Sequence, residues 1–133
     1  MSEFLADTNI ISELMRREPN SGVTEWANRQ EQLVLSVVSV EEIITGLRWK
    51  SLPRKEDWFR RVIALRGRVL EVDSEIAERS GSLRGTLLQQ GRPRSIADTL
   101  IAATAWKYDL TIVTRNTRDF EGFQVPVWDP FAS

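Results

Sequence analysis

No histidine and no cysteine occur among the 133 residues. Serine–histidine triads, cysteine nucleophiles and histidine-based acid–base cleavage are thereby excluded. Ordinary zinc sites built on those two residue types are excluded as well. Long apolar runs are also missing. The longest, such as Leu33 to Val40 and Leu100 to Trp106, fall far short of the ~20 residues that a membrane span requires, so none is expected. Glu3 and Asp7 stand where a signal peptide would carry a basic region, so a cytoplasmic protein is expected, and the missing cysteines fit that expectation. Neither sign of charge dominates, since 18 Lys and Arg face 19 Asp and Glu for a net charge of −1. What remains is carboxylate chemistry, with or without a hard metal ion, or no chemistry at all.

With 41% hydrophobic residues, a chain of this length forms one domain over residues 1–133 that buries roughly two thirds of its unfolded surface. Met1 to Ala6 reads as a strand, followed by helical segments from Ile10 and from Ser21. Leu33 to Val38 is continuous and β-branched, as in a buried parallel strand. Val40, Ile43, Ile44 and Leu47 follow at helical spacing, giving a helix from Ser39 to Trp49. Pro53 breaks that pattern, and a helix resumes over Lys55 to Leu65. A third strand at Val69 to Val72, a helix from Ser74 to Gln90, an Ala-rich helix to Trp106 and a strand at Leu110 to Thr114 follow. Pro126 makes Val125 to Trp128 an edge strand. Strands alternating with helices predict an α/β fold on a parallel sheet of four to five strands, covered on both faces. The Ala-rich helix, nearly apolar all round, belongs at its centre.

Four acids lie near helix starts: Asp7, Glu42 and Asp119 at or a few residues beyond strand ends, and Asp98 at the opening of the Ala-rich helix. Taken singly, each reads as a helix cap. Ser39-x-x-Glu42 is a capping box, Ser95-x-x-Asp98 is close to one, Asn116-x-x-Asp119 is similar, and acids suit the first turn of any helix. Taken together they read differently, because parallel strands bring their carboxyl ends to one edge of the sheet. Carboxylates gathered there raise one another's pKa, and a divalent cation relieves that strain. Oxygen donors without histidine or cysteine select Mg2+ or Mn2+. Such an ion opens a route to phosphodiester hydrolysis without histidine. Thr8, Thr114 and Asn116 stand ready to orient the acids or a bound water, or else serve as turn residues.

The order and spacing of four segments resemble the PIN-domain ribonucleases, and within them the VapC and FitB toxins of bacterial toxin–antitoxin pairs. The segments are Phe4-Leu5-Ala6-Asp7-Thr8-Asn9-Ile10-Ile11, Ser36 to Ser39 leading to Glu42-Ile43-x-x-Gly46, Ala97-Asp98-x-Leu100-Ile101-Ala102-Ala103-x-Ala105, and Val113-Thr114-Arg115-Asn116-x-x-Asp119-Phe120. The resemblance implies a three-layer α/β/α sandwich and a Mg2+- or Mn2+-dependent endoribonuclease acting on tRNA or other structured RNA. It also implies a homodimer and a small antitoxin partner that lays a peptide across the acidic groove. Asp7, Glu42 and Asp98 take the family's first three acidic positions. The fourth falls to Asp119 or to Asn116, with Asp119 favoured and Asn116 supporting.

Between Arg48 and Arg68 eight Lys and Arg face two acids, a local charge of +6. A stripe of that kind can track phosphates or can simply be a solvated helix face. Setting aside the four site acids leaves 15 acids against 18 Lys and Arg, an acidic pocket within a mildly basic surface. Arg48, Lys50, Arg92, Arg94 and Arg115 are the candidate RNA contacts. Two other classes compete. A receiver-like phosphotransfer domain would also place Asp and Mg2+ at strand ends, but needs a late lysine, and the fourth strand ends in Thr114-Arg115. A non-catalytic interaction module would use the acids only as caps.

Overall fold

Why the chain turns where it does is visible in which strand side chains point to which side. The computed structural model describes residues 3–132. Five strands, β1 (Phe4–Ala6), β2 (Leu33–Ser36), β3 (Gly67–Leu70), β4 (Thr111–Val113) and β5 (Val127–Trp128), alternate with six helices. All pairs are parallel: β1 with β4, β4 with β5, and β2 with β3. Hydrogen bonding groups them as a ladder of three and a ladder of two, and β1 lies beside β2 where the ladders meet. Successive side chains leave opposite faces of a strand. Ala6, Leu33, Leu35 and Val113 pack with α1 (Thr8–Leu14), α2 (Ser21–Asn28), α3 (Val37–Trp49) and α4 (Pro53–Arg66). Leu5, Val34 and Ile112 pack with α5 (Ser74–Gln89) and α6 (Ile96–Tyr108). The result is the expected three-layer sandwich on a parallel sheet.

The Ala-rich α6 is the central helix, with Ile101, Ala102, Ala103, Thr104 and Ala105 all buried. Small side chains let it lie close to the sheet. Among the described residues no helix is long and apolar enough to cross a membrane.

Several boundaries differ from the sequence reading by one to a few residues, and three of them bear on how the site is placed. Val37 and Val38 belong to α3, because Ser36 closes β2 in extended conformation and its hydroxyl accepts from the Val38 N–H at 3.1 Å. A short β-branched apolar run reads alike as strand or buried helix until the cap is located. Pro53 does separate α3 from α4, but α4 begins at Pro53 itself rather than at Lys55, as its fixed φ and missing N–H suit a first helical position. The third strand is Gly67 to Leu70 rather than Val69 to Val72, paired from Leu33 opposite Gly67 to Ser36 opposite Leu70. Of the first strand, Met1 and Ser2 lie outside the described residues.

Candidate active site

Asp7 is where strand geometry hands over to helix geometry. Its backbone is still extended, and its N–H donates to the Val113 carbonyl of β4 at 2.9 Å. Its side chain, 6% exposed, turns back over the end of the sheet. Oδ1 accepts from the Thr8 N–H at 2.8 Å, which caps α1. Oδ2 accepts from the Thr114 hydroxyl at 2.8 Å. Capping and site-building are therefore not alternatives here: one carboxylate does both, with a different oxygen for each.

Thr114, fully buried just beyond β4, receives Asn9 Nδ2 at 3.1 Å and the Asn116 N–H at 3.0 Å while it donates to Asp7. All of its hydroxyl capacity is committed, so the orientation of Asp7 is fixed from the neighbouring strand. Asn116 contributes through its backbone, since its side chain caps nothing. Asn9 was not singled out from sequence. Its only signal was its place in Asp7-Thr8-Asn9 at a strand exit, and it couples the loop after β4 to α1 by also accepting from the Arg115 N–H at 3.2 Å.

Glu42 is reached from the other side. The Thr8 hydroxyl donates to Glu42 Oε1 at 2.7 Å, and the Ser39 hydroxyl lies 3.0 Å from the Thr8 oxygen. One hydroxyl has one hydrogen, so Ser39 completes this chain as the donor to Thr8. The expected capping box Ser39-x-x-Glu42 does not form. Ser36 takes the cap, α3 begins two residues before Ser39, and Ser39 is left buried on the face that meets Thr8. Asp98, half-buried in the first turn of α6, donates its N–H to Ser95 Oγ at 3.0 Å, so Ser95 caps the helix there. Asp119 sits exposed on a 3-10 turn, Thr117–Phe120.

The electrostatics join these groups. Burial pushes Asp7 up to about 6, opposed by its bonds from Thr114 and Thr8 and reinforced by the charges of Asp98 and Glu42. Burial also raises Asp98, with Ser95 opposing, Asp119 and Glu42 adding to the rise, and Arg94 lowering it. Among the described residues no Lys or Arg forms an ion pair with any of the four acids. An oxygen-only set of mutually repelling carboxylates, none of them ion-paired, suits a hard divalent ion. In the arrangement described, however, no three of them stand close enough to ligate one ion.

The five candidate RNA contacts separate. Arg48 is turned to Glu56 at 2.6 Å, a carboxylate it shares with Arg60, and this pairing holds Glu56 down at about 2. Arg92 lies in a different hollow, against Gly122. Arg94 donates to the Glu121 carbonyl at 3.1 Å beside Asp98. Lys50 and Arg115, with Arg16 and Lys55, line a cleft of about 410 Å3 that opens from Thr8 and Glu42. Part of the basic stripe is thus consumed internally, and part shares a cleft with Glu42.

A sequence profile of the PIN domain matches residues 4–124. The tRNA(fMet)-specific endonuclease VapC of Shigella flexneri is 33% identical, covering 91% of this chain and 92% of its own. Toxin FitB of Neisseria gonorrhoeae is 31% identical over 96% of this chain and 98% of its own. The crystal structure of DNA-bound VapBC from Salmonella typhimurium contains a chain superposing with a TM-score of 0.86 at 29% identity, over 97% and 98% of the two chains. With the parallel sheet, its two helical layers and the acids at its carboxyl edge, these matches establish that the chain belongs to the PIN-domain family.

Proposed function

We propose that this chain is a divalent-metal-dependent endoribonuclease and the toxin of a toxin–antitoxin pair, folded as one domain over residues 1–133 and working in the cytoplasm. The observation that carries the reading is Asp7: a buried carboxylate oriented by Thr114, neighboured electrostatically by Asp98 and Glu42, with no cation paired to any of them. The names of the relatives, an RNA endonuclease and a toxin, support it. Asp7, Glu42, Asp98 and Asp119 would hold Mg2+ or Mn2+, which when bound supplies Lewis acidity toward a phosphodiester. Thr114 and Asn9 hold Asp7 in place, Thr8 and Ser39 hold Glu42, and Asn116 secures Thr114 through its backbone. Lys50, Lys55 and Arg115 give the RNA backbone a cationic path toward Glu42, while Arg16 is paired with Glu13 at 3.3 Å. A small antitoxin and a second copy of the chain are the proposed protein partners.

No observation favours a receiver-like reading. Lys107, the late lysine such a domain would need, is engaged by Asp73 and by Glu75 at 3.2 Å. The test is cleavage of tRNA and other structured RNA by the purified chain with Mg2+ or Mn2+. Asp7→Asn is expected to reduce cleavage by roughly 100-fold or more while RNA binding persists. Undiminished cleavage by that variant, or full activity in chelator, overturns the reading.

A further inference from the structure

Among the described residues, Arg115 alone lines both the cleft beside Thr8 and Glu42 and a second hollow formed by the 3-10 turn with Asn116 and Asp119. Its backbone is anchored by Asn9. Its guanidinium lies 4.8 Å from the ring centroid of Phe131. Among the described residues that guanidinium makes no hydrogen bond or ion pair, whereas those of Arg48, Arg60, Arg66 and Arg94 are all engaged. A guanidinium that rests its face on a ring keeps its edge donors free, and that edge matches a phosphate in two-point geometry.

Phe131 is itself held. Its N–H donates to Asp129 Oδ1 at 2.8 Å. The Ala132 N–H donates to Asn20 Oδ1 at 3.0 Å, and Asn20 Nδ2 returns a bond to the Ala132 carbonyl at 3.2 Å. Asn20 is fixed in turn, capping α2 and donating its N–H to the buried Glu13 at 2.8 Å. The segment also passes so close to α2 that a Cβ on Gly22 would lie 2.2 Å from the Pro130 carbonyl oxygen and 2.7 Å from the Ala132 nitrogen. A side chain at position 22 would push it away.

We infer that residues 129–132 form a strap that holds Phe131 as a platform for Arg115, and that Arg115 so held grips a backbone phosphate of the RNA between Glu42 and Asp119. The inference rests on the RNA-cleaving reading above. Arg115 touches substrate, and Phe131 is a positioning residue that acts through it. An arginine tethered on a ring aims its charge past the four acids toward a phosphate, where an untethered one would be free to fold down onto a carboxylate.

The test is binding of a tRNA by the Asp7→Asn protein, followed across salt concentration. Arg115→Ala is expected to weaken binding by about tenfold and to lower the slope of log affinity against log salt by about 0.7–0.9. Phe131→Leu, which keeps the apolar packing but removes the π face, is expected to weaken binding by about two- to fivefold. It should add nothing in the Arg115→Ala background, and Phe131→Trp should restore binding. In the active chain Phe131→Leu should raise KM and leave kcat. An unchanged salt slope in Arg115→Ala, or a Phe131→Leu effect that persists without Arg115, overturns the strap. Because binding is read in a protein that need not cleave, loss of this inference is separable from loss of the nuclease reading, which the Asp7→Asn cleavage assay decides alone.

Discussion

Asp7 concentrates the cost of building this site. A carboxylate that is 6% exposed and pushed up to about 6 is held in a place that disfavours its charge. Between the ordinary value of 3.8 and about 6, the folded protein binds the proton more tightly than the unfolded chain does. Stability therefore falls as pH rises through that window. In the metal-free protein Asp7→Asn, with no charge to bury, should be more stable than the parent by about 1–3 kcal/mol at pH 7 and nearly equal to it at pH 4. Denaturant unfolding at the two pH values checks this, and a substitution effect independent of pH would show that Asp7 is not strained by its charge. The acid itself was readable from sequence, because a lone Asp between an apolar strand and a helix start has few roles. Its partners were only partly so. Thr114 stood out at the exit of β4, whereas Asn9 and Ser39 carry side chains as suited to turns and caps as to a site.

At the scale of elements, the α3 junction shows how one residue relocates a boundary. Ser36 is the cap, which frees Ser39 to support Thr8 and through it Glu42. A side-chain cap has a known signature: Ser36→Ala should cost about 1 kcal/mol, and Ser36→Gly only a few tenths, because glycine adopts the cap conformation and leaves the N–H to water. Equal costs for the two, measured by denaturant unfolding, would remove the cap assignment. The sequence reading misplaced this start by two residues for a physical reason. Leu33 to Val38 is a continuous apolar run with no periodicity to separate strand from buried helix, and two serines compete for the cap. By contrast the start and centre of α6 were legible, since a run of alanines opened by Ser95 reads as a helix, and Ile101 to Ala105 are buried all round it.

For the whole molecule, metal binding tests whether the acids act as one unit. They influence one another electrostatically, yet in the arrangement described no three are close enough to hold one ion. If they are ligands, Mg2+ or Mn2+ at about ten times its Kd should stabilise the folded state by about 1.4 kcal/mol. For a domain of this size that is a rise in Tm of about 3–6 °C. Asp98→Asn should reduce that rise, and no shift with either ion would return the acids to the role of caps. The sequence alone determined the alternation of strands and helices, the parallel sheet, the exclusion of histidine and cysteine chemistry, and the four acids that are candidates for the site, because local periodicity and residue chemistry are written along the chain. Only the tertiary structure decided which cations face those acids. Arg48 turns to Glu56, and Arg115 rests on Phe131. An arginine's reach spans several alternative partners, and which one it meets depends on segments far away in sequence, here a strap at residues 129–132 pinned to Asn20.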